Sequence, residues 1–412
     1  MKFQDYRINP QIKKGLEKKG FKKPTDIQYK AIPNILQGED VLAIAQTGTG
    51  KTAAFAIPSL HLIIGTKYRP GVKVIVMVPT HELALQINEV YKSLAEFTKV
   101  KTLALIGGVE QQPQIDALND GIDVVIATPG RLFDMVSQLH LNLTAVEILV
   151  LDEADLMLDL GFYKDITDLI NKLPRKRQTL FFSATINEKI KKLAYSIVRN
   201  AIRIQISPKD PVSKNITHSI LNVEMDDKRF FLERIVNEHP ESSILVFVRT
   251  KVRAERVLKA MERVQIVCQT MHSGKNQEER EKTMSGFKNE EFKILIATDV
   301  SARGVDIPNV DYVVNYDIPD VVENYVHRVG RTGRGMNKGT AVSFCSSEEL
   351  DLIREIEKFT GNKINVTQVG KAGYKETLDL TEEKPGSLTD LFEEFEDGKK
   401  SKKKKKRDKW NK

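Results

Sequence analysis

Short apolar runs alternate along this chain with longer stretches of helical periodicity, a pattern that predicts α/β architecture with parallel sheets. In the first half the runs fall at residues 41–45, 72–78, 123–127, 147–151 and 179–183. In the second half they fall at 244–248, 266–268, 293–297, 312–315 and 341–344. They do not alternate cleanly between apolar and polar, so strands covered by helices on both faces are expected. Between the halves, residues 207–214 carry Pro208 and Pro211 among polar neighbours and read as a hinge. After about Val369 the periodicity fades into a Gly/Glu/Lys-rich stretch, an acidic patch and a lysine run. The pattern therefore predicts a first domain over 1–206, a linker over 207–214 and a second domain over 215–369. Residues 370–412 are expected to form a disordered, acidic-then-basic tail.

Composition narrows the class. The chain has 412 residues, 41% hydrophobic and 29% charged, which suits a globular protein of two to three domains. No stretch approaches the roughly 18 uninterrupted apolar residues of a membrane span. The nearest, residues 53–64, is broken by Pro58 and His61. Residues 1–5 hold no apolar signal-peptide core, and two cysteines, Cys268 and Cys345, make a disulfide framework a poor reading. A cytoplasmic protein without membrane attachment is expected. Charge adds a detail. The 64 basic and 56 acidic side chains give +8, but residues 399–412 hold ten basic groups and one acid. That tail carries +9 and the rest of the chain −1, so any polyanion attraction from net charge is concentrated there.

Two segments carry phosphate chemistry. Ala45-Gln46-Thr47-Gly48-Thr49-Gly50-Lys51-Thr52 follows an apolar strand and precedes a helix-like run, the setting a phosphate-binding loop requires. Gly48 and Gly50 let backbone N–H groups converge on phosphate oxygens, and the helix adds the positive end of its dipole. Lys51 supplies charge to the β- and γ-phosphates, while the Thr52 hydroxyl can ligate Mg²⁺. A strict version of the loop would have Gly where this chain has Ala45. At the end of another apolar strand comes Asp152-Glu153-Ala154-Asp155. Neighbouring strand residues point to opposite faces, so two carboxylates serve one site only where the strand ends and the backbone turns. Asp152 would then hold Mg²⁺, and Glu153 would orient and deprotonate an attacking water.

With Gly20-Phe21-Lys22-Lys23-Pro24-Thr25-Asp26-Ile27-Gln28, Ser183-Ala184-Thr185 and Tyr325-Val326-His327-Arg328-Val329-Gly330-Arg331-Thr332-Gly333-Arg334, these segments resemble the motifs of the DEAD-box ATP-dependent RNA helicases of superfamily 2. The resemblance runs from Phe3 to about Ser346 and keeps the family's motif order. It implies two tandem RecA-like parallel-sheet domains that use ATP and Mg²⁺ and bind RNA without reading its sequence. Residues 20–28 match the adenine motif, where Gln28 takes the base edge and Phe21 packs on it. Ser183 and Thr185 match the coupling motif, and Asp306 the ribose-binding acid. Arg331 and Arg334 match the arginines that reach the γ-phosphate from the second domain, and Arg328 fits a structural ion pair. The RNA set is Pro79, Thr80, Gly107, Gly108, Thr128 and Arg131 in the first domain. In the second it is Arg249, Thr250, Gln277, Arg280, Thr298 and Asp299. Small residues, hydroxyls and backbone amides suit sugar–phosphate contacts.

One position departs from the family. Pro79-Thr80-His81-Glu82-Leu83-Ala84 has His81 where arginine is usual, which trades a permanent charge for a shorter and mostly neutral ring. The resemblance implies an RNA-dependent ATPase that opens short duplexes or remodels RNA–protein complexes as its domains close. An ATP-gated RNA clamp or scaffold is the alternative. Ribonucleoprotein partners are expected, and no sequence feature demands a dimer, so a monomer is expected.

Overall fold

A computed structural model describes residues 2–46, 48–64, 71–186, 188–206, 212, 215–302, 307, 310–333, 338–367 and 370–379. Among them, fourteen strands form two sheets of seven. The first holds β1 (Val41–Ala45), β2 (Val74–Met77), β3 (Thr102–Leu105), β4 (Val124–Ala127), β5 (Ile148–Leu151), β6 (Gln178–Ser183) and β7 (Ile202–Ile206). The second holds β8 (Ile216–Asn222), β9 (Ile244–Val248), β10 (Cys268–Met271), β11 (Ile294–Thr298), β12 (Tyr312–Asn315), β13 (Gly339–Cys345) and β14 (Asn365–Thr367). Their orders are β3-β4-β2-β5-β6-β1-β7 and β10-β11-β9-β12-β13-β8-β14. Each strand of the second sheet occupies the place of its counterpart in the first, so one parallel, doubly wound plan is used twice.

Burial explains why these runs became strands. Every residue of β1, β2, β4, β5, β6, β9 and β11 is buried. Successive side chains feed different cores: Val41, Ala43 and Ala45 join one face of the first sheet, Leu42 and Ile44 the other. At about 25 cal/mol per Å² of apolar surface, such two-sided burial is the main favourable term. The strands without a sequence signal are the less covered ones. All three residues of β14 are exposed, and β7 presents three exposed residues of five. β10 begins at Cys268 rather than Ile266, because its inward residues include the polar Thr270, which donates to Glu255.

Residues 370–412 are read from sequence as tail, but the folded body runs further. Lys371–Asp379 is helical, and its Tyr374 ring lies 4.9 Å from Phe231. The Tyr374 hydroxyl donates to Asp227 at 2.7 Å and accepts from the Glu224 N–H at 3.2 Å. One aromatic anchor and its hydrogen bonds hold a helix that lacks clear amphipathic periodicity. The hinge lies outside the described residues except Val212, which is buried in the second domain's core. The basic run at 399–412 lies wholly outside them. No described helix is long and apolar enough to cross a membrane.

Candidate nucleotide and RNA site

In a parallel sheet all strands end on the same edge, and the candidate residues follow β1, β2, β4, β5, β6, β9 and β11 there. After β1 the chain turns through 46–50 into the helix Lys51–Ile64. Gly48 and Gly50 have φ of +79° and +94°, a region that side chains rarely adopt. A Cβ on Gly50 would also stand 2.4 Å from Gln28 Nε2, so this loop is closed to anything but glycine. Gln28 is buried: Nε2 donates to Gly50 O at 3.0 Å, and Oε1 accepts from Thr25 N–H at 3.0 Å. An amide has two N–H groups and two lone pairs, so one donor and one acceptor remain for a ligand. The half-buried Phe21 meets Phe3 edge-on at 5.8 Å. Thr49 Oγ1 donates to Gln46 O at 2.7 Å, bracing the loop. Thr47 lies outside the described residues. Lys51 Nζ is buried with no hydrogen-bond partner among them.

The second strand end supplies the acids. Glu153 has φ 50° and ψ 47°, a left-handed backbone that costs a non-glycine residue of order 1 kcal/mol. This turn after β5 is what allows two adjacent carboxylates to share one site. Both are buried, and Asp152 Oδ1 accepts from Glu153 N–H at 3.0 Å. Burial pushes the Glu153 carboxyl up to about 7; Asp152 and Asp155 push the same way, while Lys51 and Arg331 pull back. Burial also raises Asp152, against the opposing charge of Lys51. Asp155, to which the sequence assigned no role, ties this corner to the next strand. Its Oδ2 accepts from Ala184 N–H (3.2 Å), Thr185 N–H (3.0 Å) and Thr185 Oγ1 (3.2 Å). Ser183 Oγ donates to Thr185 O at 2.7 Å, so the tripeptide is bonded to the acid segment through two of its members.

The second domain contributes from across the cleft. Arg331 is buried and close enough to Glu153 to lower its pKa, so a cation of one domain faces a carboxylate of the other. Arg334 and Asp306 lie outside the described residues. Arg328 is structural: it is fully buried and binds Asp299 through Nε at 2.6 Å and Nη2 at 2.7 Å. Arg280 Nη2 lies 2.8 Å from Glu82 Oε1, an ion pair joining the domains.

The remaining candidates line the same edge. Thr80 and Thr250 each cap the helix that follows, accepting from Leu83 N–H at 3.3 Å and Arg253 N–H at 3.1 Å. Pro79 precedes the first cap, and Thr128 sits at the start of the helix Pro129–Ser137. His81 lies against the glycine pair, its Nε2 3.5 Å from where a Cβ on Gly107 would be. Gly108 has φ +73° and faces Gln277 of the second domain. Arg131 turns inward, donating through Nη2 to Val109 O at 2.9 Å, and so braces the glycine loop. Thr298 Oγ1 meets Ser301 Oγ at 3.0 Å. Arg249 is tied to Glu349 and Asp320.

Family comparisons agree with this layout. Residues 25–193 match the model of the DEAD/DEAH box helicase domain, and 227–336 that of the helicase conserved C-terminal domain. The chain is 35% identical over 397 residues to the ATP-dependent RNA helicase DbpA of Bacillus subtilis, covering 95% of this chain and 82% of that one. Saccharomyces cerevisiae Dbp5 bound to RNA and ADP BeF3 superposes with a TM-score of 0.81 at 29% identity, over 92% of this chain and 98% of that one. A Dbp5 variant bound to Nup159, Gle1, IP6 and ADP superposes at 0.62, also at 29% identity, over 90% and 98%.

Proposed function

Because the chain belongs to the DEAD-box ATP-dependent RNA helicases, which are ATP-hydrolysing enzymes, we propose that it opens short RNA duplexes or remodels RNA–protein complexes by closing its two domains around ATP and RNA. The observation that carries this reading is the approach of Arg331 to Glu153 across the cleft. It unites in one pocket a phosphate loop from the first domain and a guanidinium from the second. The higher TM-score against Dbp5 with RNA and nucleotide than against the same protein with other partners supports a closed arrangement.

The loop 46–50 and the N-terminus of the following helix cradle the phosphates, and the unpartnered Lys51 Nζ supplies charge to them. Gln28 offers its remaining donor and acceptor to the adenine edge, Phe21 packs against the base, and Asp306 binds the ribose. The Thr52 hydroxyl and the buried Asp152 carboxylate are hard oxygen donors that suit Mg²⁺, which supplies neutralisation of phosphate charge when bound. Glu153 positions a water for in-line attack on the γ-phosphorus and accepts its proton as the bond to the ADP oxygen breaks. Arg331 and Arg334 stabilise the charge on the transferring group, an effect worth about 10³–10⁵ in rate for such arginines. RNA lies along Thr80, Gly108, Thr128 and Arg131 of one domain and Thr250, Arg280 and Thr298 of the other. Since RNA and ATP each bridge the domains, each raises affinity for the other. Stacking costs about 1.4 kcal/mol per base-pair step in DNA, a guide to what one closure can open in RNA: a few pairs, not a long duplex.

The test is ATP turnover by the full chain with and without single-stranded RNA, beside separation of a short duplex. RNA should stimulate turnover, and Glu153→Gln should bind ATP while losing hydrolysis. Stimulated turnover with intact duplex would favour the clamp instead. Unimpaired hydrolysis by Arg331→Ala would remove the two-domain pocket.

A further inference from the structure

The duplicated plan places the second domain's own phosphate corner after β8, where the helix Lys228–Glu238 begins on a lysine as the helix Lys51–Ile64 does. This corner is filled from within. Lys228 is fully buried, and its Nζ lies 2.5 Å from Glu349 Oε2. Ser346 donates to that same oxygen through N–H and Oγ, both at 3.2 Å. The other oxygen, Oε1, accepts from Ile318 N–H at 3.2 Å and Arg249 Nη2 at 3.0 Å. A buried carboxylate with five donors is fully satisfied and rigid.

The link to function is Arg249. Its Nη2 also donates to Ile318 O at 2.9 Å, its Nε pairs with Asp320 at 3.0 Å, and its N–H donates to Asp317 at 2.9 Å. Asp317 further pairs with Arg253, one turn into the helix that Thr250 caps. Thr250 thus stands between two anchored arginines. Its counterpart is Thr80: Met77 pairs with Leu151 as Phe247 pairs with Asn315, and each threonine lies equally far beyond.

We propose that Glu349 is a positioning residue for RNA binding: the carboxylate that neutralises the second domain's lysine also clamps Arg249, and through it fixes the Thr250 turn against the RNA backbone. On this view Arg249 acts on RNA through Thr250 rather than by lending its own charge. The proposal rests on the RNA-contact reading of Thr250 given above. Removing the Glu349 charge releases Arg249, whereas removing the Lys228 charge leaves Arg249 held.

The experiment compares Glu349→Gln, Lys228→Met, Thr250→Val and the Glu349→Gln/Thr250→Val pair in the full chain, with RNA KM, ATP KM, kcat and thermal midpoint measured for each. Both charge variants should lower the midpoint. Glu349→Gln should raise the RNA KM by about five- to tenfold, the size of one missing hydrogen bond, with ATP KM and kcat within twofold. Lys228→Met should leave the RNA KM unchanged, and the double variant should be no worse than Thr250→Val alone. An unchanged RNA KM in Glu349→Gln, or an equal rise in Lys228→Met, would overturn the proposal by reducing the cluster to stability. If Thr250→Val alone is silent while RNA still stimulates turnover, the Thr250 contact fails and the proposal with it. Absence of RNA stimulation in the wild type would instead defeat the functional reading as a whole. Should Glu349→Gln fail to fold, Arg249→Met cuts the same link at a more exposed side chain and must show the same rise.

Discussion

The Glu82–Arg280 pair allows domain closure to be measured rather than assumed. The two charges lie 2.8 Å apart, their side chains only 11% and 17% exposed, on opposite domains. Unscreened attraction at that distance is several kcal/mol even at an effective dielectric constant of about 20, but desolvation of both groups takes most of it back. Neither Glu82 oxygen, nor Arg280 Nε, makes a well-directed hydrogen bond among the described residues, which limits the gain further. A net coupling of about 1–2 kcal/mol is expected, or roughly five- to thirtyfold in an equilibrium constant. Because the pair exists only when the domains meet, its removal should be felt only in the closed state. The assay is anisotropy of a labelled single-stranded RNA, with and without a non-hydrolysable ATP analogue. Glu82→Gln should weaken the analogue-bound complex by that factor and leave the analogue-free Kd within twofold. Arg280→Met should weaken both, and the double variant should recover the coupling energy relative to the sum of the single effects. Equal weakening by Glu82→Gln in both states, or strict additivity, would refute the argument.

Other outcomes follow from individual residues. Gly50→Ala should abolish ATP binding while leaving the fold intact, since the new Cβ collides with Gln28 Nε2 at 2.4 Å on a backbone with φ +94°; retention of nucleotide affinity by calorimetry would contradict this. Burial pushes the Cys268 thiol up to about 12 and the Cys345 thiol up to about 11, so the reactive thiolate is depleted by two or more orders of magnitude relative to a free cysteine of pKa ~8.5. Alkylation of the native chain at pH 8 should be slow and become rapid on denaturation; fast native labelling would show that these sites open. Tyr374→Phe keeps the ring on Phe231 but deletes the bond to Asp227, and should cost about 1 kcal/mol in denaturant melts. Burial, together with that bond, raises the phenol to about 12, so its contribution is full below pH ~10 and disappears as pH climbs through about 12. Deleting residues 399–412 should flatten the salt dependence of RNA binding by about 0.7 in log–log slope for each phosphate that the lysine run had neutralised; an unchanged slope would leave that run a solubility device.

The sequence by itself determined the chemistry. Phosphate loops, paired acids and arginine sets are written as short contiguous segments, because each sits on one strand end and the turn after it. Even the turn at Glu153 was foreseeable, since two adjacent carboxylates cannot share a site on a straight strand. The same holds for the central strands, whose two buried faces demand unbroken apolar runs. The edge strand β14 and the exposed β7 left no such mark, and neither did the helix Lys371–Asp379, which is held by a single tyrosine. Only the tertiary structure decided which charges meet. Glu82 with Arg280, Glu153 with Arg331, and Lys228 with Glu349 and Arg249 are distant in sequence, and no local pattern encodes partners that are joined solely by the packing of separate elements. The repetition of strand order likewise has no counterpart in residue identity: a sheet's topology depends on where apolar faces find cover, and many unrelated side chains satisfy that requirement.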